Sequence, residues 1–230
     1  MFEIDAKWRD AQVKRLLWRL ESRQWPFAIA MALTRIGKRV KSAERDEMKR
    51  VFDRPTPYTL NSLRLEPATK SDLQARIWFR EFAGKGTPAA KYLLPQVYGG
   101  SRVEKRFERR IGLGYLMPTT AAPLDRYGNV RRSIYSKILS GVGAQGDPYQ
   151  NSPRGSRKRK TYFRGTPRGH GVPGIWERQG RDRLRPIFIA IPSPSYSPRF
   201  AFFGVAERSV NEHWEVEFNT AIQRALGTSR

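Results

Sequence analysis

The residues able to carry chemistry are few in this chain. It has two histidines, His170 and His213, and no cysteine. His170 stands in a stretch rich in Gly, Pro and Arg, and His213 stands beside an apolar stripe of helical period. Neither has cysteine or acidic neighbours at metal-ligand spacing. Ser193 and Ser195 sit in a proline-rich connection without the Gly-x-Ser-x-Gly elbow that presents a nucleophile. The run Gly84 to Thr87, GKGT, lacks the first glycine and four spacers of a phosphate-binding loop and is rejected as one. Glu44, Asp46 and Glu47 read as acids on a helix surface, and Glu207, Glu212, Glu215 and Glu217 as counter-charges to nearby arginines. The expectation is a protein without catalytic residues, cofactor or metal: not an enzyme. A metal-dependent nuclease built on paired carboxylates is the enzymatic alternative, and it requires acids or histidines brought together in space.

Charge is the dominant feature of the composition. The chain has 44 Lys and Arg against 21 Asp and Glu, a net charge of +23 over 230 residues, with an isoelectric point near 11.0. A field of that sign attracts phosphate backbones or acidic protein faces and is silent about fold. Arginine outnumbers lysine, which suits bidentate phosphate and carboxylate recognition and equally follows from a high-GC coding bias. The absence of cysteine excludes a disulfide framework and thiolate metal sites. No signal peptide is evident, and no apolar run approaches the roughly 20 residues that cross a bilayer. Hydrophobic residues make up 39% and mean hydropathy is −0.65, wetter than a compact enzyme.

The elements that must carry this charge are legible from period. Leu63 and Leu65, then Leu73, Ala75, Ile77 and Phe79, alternate with polar neighbours, which predicts a hairpin with its turn at Glu66 to Asp72. Steps of three and four predict helices over Asp5 to Arg23, from Pro26 to Val51, and over Phe200 to Leu226. In the last, Phe203, Ala206, Val210, Trp214, Phe218, Ala221 and Ala225 form the buried stripe. Strands at Ile175 to Arg178 and Pro186 to Ile191 extend the hairpin to four strands. The fold class expected is therefore α+β: an antiparallel sheet of about four strands packed with N-terminal and C-terminal amphipathic helices, plus a long irregular basic insertion. Residues 1–111 and 172–230 form one domain on this view, and 112–171 the insertion.

Two basic groups are candidates for contact with DNA or an acidic partner. Arg102, Lys105, Arg106 and Arg109 lie in SRVEKRFERRIG, a short basic helix, and Arg157, Lys158, Arg159, Lys160 and Arg164 lie in the insertion, where RGSRKRK resembles a nucleic-acid patch.

Three segments carry a family resemblance: PFAIAMALTRIGKRVKSAERDEMKRVFDRPTPYTLNSLRLEPATKSDLQARIWFRE, GKGTPAAKYLLPQVYGGSRVEKRFER and PSYSPRFAFFGVAERSVNEHWEVEFNTAIQRAL. Together they resemble the phage minor tail protein Z, or tail-completion (neck), family. These are sequence textures rather than a catalytic signature, and they do not extend over Gly112 to Gly171. The resemblance implies a structural virion protein at the head-proximal end of the tail, made in the host cytoplasm and assembled as a homo-oligomeric ring, a hexamer in long-tailed phages, around the DNA channel. Portal, neck and tail proteins are its implied partners, packaged DNA is one through non-specific phosphate contact, and no membrane is involved. A stand-alone, non-sequence-specific nucleic-acid-binding protein is the alternative.

Overall fold

A computed structural model of the chain describes residues 1–5, 24–84, 86–152, 161–169, 171–180 and 183–227. It divides into two compact units, Met1–Gly99 with Ser197–Arg230, and Gly100–Tyr196.

The first unit is organised by one central strand. Strands β1 (Phe2–Asp5), β2 (Leu63–Glu66) and β3 (Gln74–Phe79) form an antiparallel sheet in the order β1-β3-β2. The period of two has its expected consequence on β3: Ala75, Ile77 and Phe79 are buried, while Gln74, Arg76 and Trp78 are half-buried. Thr69 makes the hairpin turn, its backbone N–H donating to Asp72 O at 2.8 Å and its hydroxyl accepting from the Asp72 N–H at 3.0 Å.

Helix α1 (Trp25–Val51) covers the inner face of this sheet with Ala28, Ala32, Leu33, Ile36, Val40 and Met48, all buried. Pro26 sits in its first turn, where the missing N–H is no loss. Gly37 lets the helix come close, since a Cβ there would stand 2.7 Å from Leu65 Cδ1. Short α2 (Pro57–Leu60) and α3 (Ala90–Tyr98) follow, α3 with Pro95 inside it.

Helix α6 (Phe202–Gly227) lies antiparallel along α1: Arg35 and Arg39 reach Glu217 near one end, and Glu44 feels Arg208 near the other. Its stripe is buried as expected from Ala206 to Ala225, with one correction. Phe202 is buried at 2% exposure and Phe203 is 39% exposed, because positions 202, 206, 210, 214 and 218 share a face and 203 is rotated about 100° from them. Phe200 and Phe202 close the core against Phe52 and Phe79 with ring separations of 5.0–6.1 Å.

The second unit has its own sheet and core. Strands β5 (Tyr115–Pro118), β6 (Tyr162–Gly165), β7 (Gly174–Gln179) and β8 (Arg183–Ile191) pair antiparallel in the order β5-β8-β7-β6. Helices α4 (Arg106–Ile111) and α5 (Arg132–Val142) contribute Ile111, Ile134 and Ile138 to a core shared with Leu116, Ile175, Ile187 and Phe188. Phe107 meets Tyr135 edge-on at 4.8 Å and Phe188 at 5.4 Å. A two-residue ladder of β4 (Gly100–Ser101) with β9 (Ser195–Tyr196) joins the two ends of the unit.

The four-stranded antiparallel sheet is thus present, built from other strands than expected. β7 and β8 do not extend the hairpin: β1 takes the free edge of β3, and β7 and β8 pair with each other and with β6 and β5 in a separate sheet. Residues 112–171, expected as an irregular insertion, supply β5, α5 and β6, and the chain divides after Gly99 and Tyr196 rather than at 111 and 172. The helix expected over Asp5 to Arg23 falls, beyond Asp5, outside the described residues, and Asp5 itself ends β1. Among the described residues no helix is long and apolar enough to cross a membrane.

Candidate nucleic-acid interface

The charge is concentrated in the second unit, where residues 100–196 contain 20 Lys and Arg against 6 Asp and Glu, a net +14 of the chain's +23. What decides whether that charge is available outside is where the acids are spent. Glu108 is 2% exposed, and its carboxylate accepts from Arg102 Nη1 at 2.6 Å and Nη2 at 2.5 Å, from the Lys105 N–H at 2.6 Å and from the Leu116 N–H at 3.0 Å. Burial pushes this carboxyl up, but the Arg102 hydrogen bonds and the two backbone N–H groups outweigh it and hold the group below the ordinary carboxylate range. Glu108 therefore stays ionised, caps α4 by reaching back to Lys105, and ties that helix to β5.

Of the other described acids, Glu104 and Glu177 are half-buried, and Asp125 and Asp147 are exposed but bonded to local backbone. Asp125 accepts the N–H groups of Tyr127 and Asn129 at 2.8 and 3.0 Å, and Asp147 that of Tyr149 at 3.0 Å, so both serve turns. Glu177 accepts from Tyr162 Oη at 2.8 Å and pairs with Arg185 at 2.9 Å. Burial, and then the hydrogen bond to Glu177, push the Tyr162 phenol up to about 12, so it remains a donor.

Arg102 is 13% exposed at its side chain, committed to Glu108 and stacked 4.9 Å over the Tyr115 ring; it builds the site rather than presenting a free charge. Lys105, Arg106 and Arg109 are exposed at the start and along the outer face of α4. Arg164 is exposed on edge strand β6, with Nη1 donating to Ile111 O at 2.7 Å at the end of α4. One edge strand and one helix, distant in sequence, are so brought together. Arg157, Lys158, Arg159 and Lys160 lie outside the described residues. Their flanking neighbours Ser152 and Thr161 both line a hydroxyl-rich cleft of about 650 Å³ with Ser136, Lys137, Ser140 and Tyr162. Arg132, Lys137 and Arg168, which the sequence marks as basic residues of the segment but not as contacts, and Arg183 are also exposed in this unit. Their signal was the shortage of acids within the segment, not a run of neighbouring charges.

The described residues offer several exposed cations, an arrangement suited to phosphate attraction. Among the described residues no group of three or more His, Cys, Asp or Glu stands where it would hold a metal ion. Family models, curated proteins and solved structures provide no match to the chain.

Proposed function

We propose that the protein is a structural component of a bacteriophage tail or neck, a tail-completion adaptor that joins head and tail as a ring around the DNA channel. The observation that carries the DNA-facing part is the net +14 of residues 100–196, with Glu108 buried against Arg102, Glu177 paired with Arg185, and Asp125 and Asp147 bonded to turn backbone. Phosphates passing such a surface are held by charge alone and can slide, as a channel requires. The first unit supports the adaptor part. It exposes an apolar groove of about 260 Å³ that includes Leu94, Tyr98 and Trp78, with Phe203 against Tyr98 at 5.9 Å, a surface of the kind that meets protein neighbours. The sequence resemblance supplies the virion setting.

Light scattering of the purified chain at low and high salt, with and without duplex DNA, tests this. The expected result is a discrete ring that persists at high salt without DNA. A monomer that binds duplex strongly and steeply with salt would instead support a stand-alone nucleic-acid-binding protein, the reading favoured by the exposed Arg106, Arg109 and Arg164 taken alone. Neutralising Arg157, Lys158, Arg159, Lys160 and Arg164 together is expected to lower particle assembly or DNA retention in a salt-sensitive way. Unchanged infectivity and DNA content would remove the DNA contact from the proposal.

A further inference from the structure

The seam between α1 and α6 opens into a cleft of about 300 Å³ lined by Arg39, Ser42, Arg208, Ser209, Glu212 and His213. Several of its donors lack a protein partner among the described residues. The Arg208 guanidinium has no hydrogen-bond or ion-pair partner among the described residues, and the Ser209 hydroxyl, on a residue 4% exposed, has none either. Arg39 gives only Nε to Glu217, at 3.0 Å. His213 donates Nδ1–H to Ser209 O at 2.9 Å, since a carbonyl can only accept, and its Nε2 is left over. The acid next to the cleft, Glu44, is fully buried with both oxygens unpartnered, and desolvation holds it protonated near neutral pH, so it does not neutralise Arg208. Glu212 is the one carboxylate in the lining.

Two guanidinium groups and two hydroxyls converging from facing helices, against a single acid, call for a ligand that brings negative charge and several acceptor oxygens. A phosphate group fits within a space of this volume. We propose that this cleft binds a phosphate group, held by Arg208 and Arg39 with Ser209 and Ser42 as hydroxyl donors. A buried serine hydroxyl without a partner finds one in a phosphate oxygen, and charge-assisted guanidinium bonds supply most of the affinity. The site lies in the first unit and is independent of ring formation.

The test follows the imidazole C2–H resonances of the full chain while inorganic phosphate is added at ionic strength held constant with chloride. His213 is expected to shift saturably and His170 to stay still. Arg208→Gln and Ser209→Ala are each expected to weaken the saturable step by about tenfold or more, the loss of one hydrogen bond to a charged group. Arg45→Gln, an exposed change on α1 outside the cleft, is expected to leave it unchanged. A short DNA duplex identifies the source. A His213 shift that Arg208→Gln abolishes supports the cleft as a nucleic-acid backbone site; phosphate binding with no response to duplex supports it as a site for free phosphate or a phosphomonoester. A response that does not saturate, that chloride reproduces, or that survives both Arg208→Gln and Ser209→Ala overturns the proposal.

Discussion

Two carboxyl groups, Glu44 and Glu108, show how identical chemistry is set to opposite states by what surrounds it. Glu44 is fully buried with neither oxygen paired, and burial, with Glu47 nearby, pushes it up to about 9. The sequence placed it on a helix surface; in the structure it faces inward, because α6 covers the side of α1 on which it lies. The native state then holds a proton that the unfolded chain releases above the ordinary value of 4.5. The contribution is fully favourable below that value and is lost as pH rises toward 9, with a slope of about 1.4 kcal/mol per pH unit. Glu44→Gln is expected to flatten this slope in denaturant unfolding measured between pH 6 and 9, and an unchanged slope would reject the assignment. Glu108 is the reverse case. Held below its ordinary value, it contributes stability above that value and loses it as pH falls through its folded-state value. Glu108→Ala leaves Arg102 desolvated without its partner and is expected to cost about 3–5 kcal/mol, read from chemical denaturation.

At the scale of elements, backbone approach rather than propensity fixes the second sheet. Gly174 opens β7 where a Cβ would stand 2.3 Å from the Phe188 carbonyl oxygen, next to the register shift between Ile175 and Trp176. The obstructing atom is backbone and cannot swing aside, so Gly174→Ala is expected to destabilise this sheet by about 1–3 kcal/mol, visible as a lower midpoint in circular dichroism. In the first unit the seam of α1 and α6 is apolar and long. Leu33→Ala empties a position at 0% exposure and is expected to cost about 2–5 kcal/mol by the same measurement.

At the scale of the whole molecule, two separate cores predict two unfolding events. The first contains Leu33, Ile77 and Trp214, and the second Ile138, Ile175 and Ile187. Calorimetry of the full chain is expected to give two transitions, with Leu33→Ala lowering one and Ile187→Ala the other. Alkaline pH should weaken the transition that Leu33→Ala moves, through Glu44, and acid pH the one that Ile187→Ala moves, through Glu108. One transition responding to both substitutions would mean that the two cores unfold together. The asymmetry of charge belongs to this scale as well, since +14 on the second unit gives its surface a stronger salt dependence than the first.

The sequence by itself determined the fold class, the hairpin, both long helices and the excess of positive charge, because each is a local or additive property. Period follows from which side of a strand or helix is buried, and net charge is a sum over residues. It also marked α4 and its exposed Lys105, Arg106 and Arg109 as a basic element. It could not assign strands to sheets, because β5 and β6 are four residues each, close to Pro or Gly, and β5 pairs with β8 far along the chain. Nor could it separate a structural arginine from an available one. Arg102 and Arg109 read alike in sequence, yet only tertiary packing puts the Glu108 carboxylate against the first and water around the second. The α1–α6 cleft was hidden for the same reason: its residues are far apart in sequence and become neighbours only when two helices, each amphipathic by itself, run antiparallel and leave their polar edges facing one another.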